Sequence, residues 1–89
     1  MVDPLIVHRR ISARKIAYEY CAGQPSFDDW LSCMEKTESK IIESVSGKDE
    51  LEAYMELEAI YTQCLMKRLR DKTASARIFK ECIDEKLGW

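Results

Sequence analysis

The sequence predicts an all-α fold, a small helical hairpin or bundle of three or four helices. Apolar residues recur at three- and four-residue spacing along most of the chain, the period of one helix face. After Pro25 only Gly47 and Gly88 interrupt helical geometry, and no run has the alternation of a strand. Helix-start signals, a hydroxyl or carboxylate followed three residues later by an acid, stand at Ser26 and Asp49. At 89 residues a single helical domain over 1–89 is expected. Nearly half the residues are apolar and a third are charged, which excludes a disordered chain. A core this small benefits from a covalent staple or a partner.

Met1 to Pro4 is a short lead-in, with Pro4 suited to a first helical position. A first helix is predicted from about Leu5 to Ala22, with Ala13, Ile16 and Tyr20 on one face and Arg10 and Arg14 on another. Gly23-Gln24-Pro25 ends it, because glycine accepts a left-handed cap and proline disfavours helical geometry before it. Ser26 starts the second helix, its hydroxyl placed to accept from the Asp29 amide, and Asp28 and Asp29 suit the positive helix start. Phe27, Trp30, Leu31, Met34, Ile41, Ile42 and Val45 form its apolar stripe, and Gly47 is the expected stop. Asp49 with Glu52 opens the third helix, with Leu51, Tyr54, Met55, Leu57, Tyr61, Cys64, Leu65 and Leu69 on its apolar side. Ser26 to Leu65, folded at Ser46-Gly47-Lys48, is thus the hairpin expected to organise the chain. From Lys67 to Arg77 the residues turn polar and basic, and either one helix continues or a tight break occurs near Asp71-Lys72-Thr73. Ile78, Phe79, Cys82, Ile83 and Leu87 form a last stripe, closed by Gly88.

Every cysteine has an aromatic residue three positions before it: Tyr18 and Cys21, Trp30 and Cys33, Tyr61 and Cys64, Phe79 and Cys82. Positions three apart share a helix face, so each thiol sits beside a ring. Cys33 and Cys64 lie at similar distances from the Gly47 turn, which makes them the well-matched pair for a bridge and leaves Cys21 with Cys82. Local pairing is the alternative, Cys21 with Cys33 across the Pro25 turn and Cys64 with Cys82 across a break near Thr73. Four reduced thiols packed as small hydrophobes are the further alternative. A zinc site is disfavoured, since no Cys-x-x-Cys pair exists and the lone histidine, His8, is remote.

Through Trp30-Leu31-Ser32-Cys33, Tyr61-Thr62-Gln63-Cys64 and Phe79-Lys80-Glu81-Cys82, the stretch from Tyr18 to Ile83 resembles the coiled-coil–helix–coiled-coil–helix, or twin paired-cysteine, family of the mitochondrial intermembrane space. The resemblance implies a helical hairpin held by two disulfides, oxidative folding after import, and a role as a respiratory-complex subunit or assembly factor. Both cysteine spacings here are longer than the family's usual one.

A net charge of −2 argues against a nucleic-acid binder with a wholly basic surface. No apolar run reaches membrane-spanning length, and the basic segment His8 to Lys15 is read as part of the mature protein. Asp28 and Asp29 are explained by capping. The serines have no histidine near them in sequence, and neither a phosphate loop nor a dinucleotide fingerprint is present. No enzyme activity, cofactor or metal is therefore expected. The partner-binding candidates are Arg9, Arg10, Arg14, Lys67, Arg68, Arg70 and Trp89, with acidic Asp49 to Glu58 as an opposite pole. The function expected is a non-catalytic protein–protein interaction module, a small subunit or assembly factor of a larger complex. An intracellular helical adaptor with reduced cysteines, acting as a homo-oligomer, is the alternative. A nucleic-acid role through the Lys67 to Arg77 face is the least favoured.

Overall fold

The structure, a computed structural model, describes residues 4–73 and 75–89, so the lead-in over residues 1–3 lies outside the described residues. Four helices follow in order: α1 (Pro4–Tyr20), α2 (Phe27–Ser44), α3 (Glu50–Arg70) and α4 (Ala76–Leu87). The fold is all-α, with no strand among the described residues.

The helix ends follow local chemistry. Gly23, at φ +92°, takes the left-handed turn after α1. Ser26 Oγ accepts from the Asp29 amide at 3.1 Å and donates to the Asp29 carboxylate at 2.9 Å, so the short acid closes the cap on the hydroxyl. α2 stops at Ser44, before Gly47, which has no positive φ. Ser44 Oγ donates to Ile41 O at 2.6 Å while Val45 and Ser46 N–H make three-residue bonds, tightening the last turn. Asp49 occupies the N-cap of α3 without a side-chain cap bond. The break near Asp71-Lys72-Thr73 is realised: Asp71 Oδ1 accepts from both the Thr73 amide and hydroxyl, and Ser75 caps α4. Gly88, at φ +72°, ends α4, with Trp89 N–H bonded to Asp84 O at 2.8 Å.

The organising element is α1. It packs against α2, α3 and α4, whereas α2 and α3, though joined directly, lie mainly on α1 and not on each other. The expected Ser26–Leu65 hairpin is therefore open. The reason lies in α1 itself: Ser12, Ala13, Ile16 and Ala17 are all fully buried, and the two alanines let neighbouring helices approach from several sides. A helix enclosed in this way has a weak amphipathic signature. Ile16, Ile41, Val45, Leu57, Phe79 and Ile83 complete the core.

Helices α1 and α3 run parallel, and their seam is polar. Arg9 pairs with Glu50 at 3.0 Å, Lys15 with Glu58 at 2.9 Å, and Glu19 with Arg68 at 2.6 Å. The basic run of α1 and the acidic stretch of α3, expected as opposite poles, are in large part each other's partners.

Candidate interaction site

Each antiparallel pair, α1 with α2 and α3 with α4, is a hairpin closed by a disulfide near its connecting turn. Cys21 bonds Cys33, with Cα atoms 5.9 Å apart, and Cys64 bonds Cys82, with Cα atoms 5.5 Å apart. The Cys33–Cys64 match is not formed, because α1 lies against both helices that would have to meet. Local pairing is the arrangement adopted, and no cysteine is free. Each helix thus contributes one half-cystine, that of α1 lying just past its last residue.

The aromatic residues three places before the cysteines pair in the same way. Tyr18 meets Trp30 edge-on at 5.4 Å in the first hairpin, and Tyr61 meets Phe79 edge-on at 6.0 Å in the second. Each hairpin therefore carries one ring pair and one disulfide. In the first, the Thr37 hydroxyl lies 3.5 Å from Cys21 Sγ and 3.8 Å from Cys33 Sγ and is the donor, since neither sulfur holds a proton.

No known protein family, curated protein or solved structure matches the chain.

The two ring pairs differ in exposure. Phe79 is fully buried, but Tyr18 is 57% exposed, and Phe27, its ring tilted against Trp30 at 5.8 Å, is 69% exposed. The sequence pattern placed Phe27 and Leu31 in the core stripe of α2; both are exposed, because α1 covers only the Met34–Thr37–Ile41 face. Beside Tyr18 an open hollow of about 250 Å³ is lined by Ile11, Arg14, Lys15, Tyr18, Glu19 and Tyr61, where the hairpins meet. Its walls are apolar rings and its rim is charged. Lys15 Nζ stands 4.8 Å over the Tyr61 ring while bonding Glu58. Burial pushes the Glu58 carboxyl up, but bonds from Ser12, at 2.6 Å, and Lys15, with the Lys15 charge, hold it below the usual range.

The predicted partner-binding residues do not converge. Arg9 and Arg68 are engaged across the α1–α3 seam, and Arg14 reaches Glu38 at 3.4 Å from the rim of the hollow. Arg10 is exposed on α1. Lys67 and Arg70 border a shallow depression with Ile78, Glu81 and Glu85 at the far end of α3. Trp89 anchors the chain's own end: its ring meets Tyr20 at 5.6 Å and lies 4.2 Å under Lys40 Nζ. Tyr20 in turn donates to Asp84 at 2.7 Å, and its burial, with that bond and the Asp84 charge, pushes its hydroxyl up to about 12. The residues that sequence reasoning missed, Ile11, Tyr18 and Phe27, left a signal. Ile11 and Tyr18 share the helix face opposite Ala13 and Ile16, but Arg14 and Lys15 lie between them and make that face read as polar. No helix among the described residues is long and apolar enough to cross a membrane.

Proposed function

We propose that this protein is a non-catalytic interaction module, a small subunit or assembly factor that docks onto a protein partner through the first hairpin. The observation that carries the reading is the line of rings from Phe27 through Trp30 to Tyr18, exposed beside the Cys21–Cys33 bridge. Adjacent exposed aromatics usually mark a contact surface, and a crosslinked support lowers the ordering cost of binding. Arg14, on the rim and largely exposed though it reaches Glu38, favours a partner surface that is apolar at its centre and carries an acid at its edge.

Two disulfides in so small a chain point to a disulfide-forming compartment. The resemblance to twin paired-cysteine proteins supports the mitochondrial intermembrane space as that compartment and a respiratory complex as the assembly. One half-cystine per helix in place of two makes the layout an irregular version of that pattern.

The test is isolation of tagged protein from its source cells, with thiols blocked before lysis and no reductant. The native protein is expected to lack alkylatable thiols and to elute in a complex larger than itself. The Tyr18→Ser/Phe27→Ser variant is expected to keep its disulfides yet elute free of that complex. Four alkylatable thiols in the native protein would remove the compartment reading. An unchanged elution of the double variant would remove the docking surface.

A further inference from the structure

Helix α3 is apolar on two opposite faces. Its inward face carries Ala53, Leu57, Ile60 and Cys64, all buried. Its outward face carries Leu51, Met55, Ala59, Thr62, Met66 and Leu69, all exposed, with Leu69 at 70% and Met55 at 61%. At 100° per residue these six fall within about 80° of arc and run about 27 Å along the helix, with no charged side chain among them. An exposed, uncharged stripe of this length is unusual on a lone small domain and marks a contact surface, and the other helices of this chain pack elsewhere on α3.

The stripe is palindromic. From its ends inward it reads leucine, methionine and then a small residue, with Leu51 matching Leu69, Met55 matching Met66, and Ala59 matching Thr62 about a common midpoint. The charges on one flank invert about a point within about one residue, ~1.5 Å, of that midpoint: Glu52 and Glu56 on the first half, Arg70 and Lys67 on the second, with neutral Gln63 between. Neither Lys67, Arg70 nor Glu52 forms an ion pair among the described residues, while Glu56 holds Lys48 at 3.0 Å. A surface of this kind complements itself. A two-fold axis perpendicular to two antiparallel helices brings each flank against the same flank of the other copy, running the opposite way. Acid then meets base at both ends, methionine meets methionine, and the small residues at the centre allow close approach. A parallel pair would instead set each flank against the opposite one, so Glu52 and Arg70 would not meet.

We infer that the outward face of α3 binds a second copy of this chain, giving an antiparallel homodimer with Ala59 and Thr62 at its centre, Met55 and Met66 on either side of them, and Leu51, Leu69 and the Glu52–Arg70 pairs at its ends. This surface is separate from the ring line of the first hairpin, so the inference stands or falls independently of the proposed function.

The experiment is sedimentation equilibrium of the oxidised full chain over a wide concentration range, with helix content checked by circular dichroism. The wild type is expected to be a dimer. Met55→Glu is expected to weaken it by about a hundred-fold, since two carboxylates would be desolvated. Glu52→Arg and Arg70→Glu are each expected to weaken it about ten-fold, by turning two attractive rim contacts repulsive. Combining them restores attraction, so the double variant should dimerise like the wild type, and Tyr18→Ser should leave the dimer intact. A wild type monomeric throughout, a dimer insensitive to Met55→Glu, or a charge-swapped double variant no tighter than the singles would each overturn the inference.

Discussion

The two hairpins use the same parts and put them to different ends. Each has an aromatic three residues before a cysteine on both arms, a ring pair and a disulfide. In the second, the ring of Phe79 and both sulfur-bearing residues are at or near zero exposure, so ring and bridge are core. In the first, Cys21 is buried but Cys33 is half-buried, and Tyr18 faces solvent. The contrast follows from what covers each. Phe79 of the second pair is roofed by the rest of the bundle, whereas Tyr18 of the first lies at the outer edge of α1, beside Trp30 and the open hollow. One motif thus serves stability in one hairpin and presentation in the other.

The largest expected difference is between the rings. Phe79→Ala removes a fully buried side chain and is expected to cost about 3–5 kcal/mol, a large part of the stability of a small domain. Tyr18→Ala should cost no more than about 0.5–1 kcal/mol, the range of an exposed position with one ring contact. Urea unfolding of the two variants gives the comparison directly. Equal losses would mean that the first ring pair is core after all.

Next come the bridges. Cys21 and Cys33 are 12 residues apart and Cys64 and Cys82 are 18 apart, so chain entropy assigns each bridge about 3 kcal/mol with a slight edge to the second. Burial adds to that edge, because Cys64→Ala/Cys82→Ala also opens space beside Phe79. The second double variant is expected to unfold at lower denaturant than Cys21→Ala/Cys33→Ala. The reverse order would show that the first staple holds the bundle together.

Much of this contrast is readable in the sequence, and the unreadable part has a physical cause. The cap at Ser26 and the stop at Gly88 are consequences of local chemistry, and the pairing of a ring with every cysteine is plain from spacing alone. The choice between a continuous helix and a break near Asp71 stays open in the sequence and is decided by Asp71 and Ser75 accepting from the backbone there. The centrality of α1 is not, because Ala13, Ala17 and Ser12 carry little apolar signal though all three are buried. Taking the direct link between α2 and α3 as a packed hairpin then led to Cys33–Cys64 as the natural bridge. Charge misled in the same way: the basic run in α1 and the acids in α3 look like two docking poles until the parallel seam sets them side by side. The outward stripes of α2 and α3 look like core in the sequence because periodicity shows that a face is apolar, not which neighbour covers it.

The seam between the hairpins offers a smaller effect, readable in acid. Glu58 is held below the usual carboxylate range, so over that interval the unfolded chain binds more protons than the folded one. The stabilisation is complete above the ordinary glutamate value and is lost as pH falls through the lower, folded value. Ser12→Ala removes one of the bonds responsible and leaves the carboxylate short of a donor. It is expected to lower stability at neutral pH by about 1–2 kcal/mol and to flatten the decline as pH falls below the ordinary glutamate range. An acid limb unchanged in that variant would place the acid sensitivity at other carboxylates.

The smallest effect lies at the other junction, where Tyr20 of the first hairpin donates to Asp84 of the second. Its hydroxyl is raised from 10.0 to about 12 by partial burial first, then by the bond and the Asp84 charge. Between those values the folded state keeps a proton that the unfolded state has lost, so the contribution is whole below about pH 10 and disappears as pH climbs toward 12. Removing the hydroxyl should therefore make the protein less sensitive to alkali while leaving the Trp89 ring contact in place. Unfolding of Tyr20→Phe followed at rising pH, beside ultraviolet titration of the tyrosines, is the measurement. A parallel alkaline decline in wild type and variant would show that this bond does not couple the hairpins, leaving that role to Trp89 and the polar seam of α1 with α3.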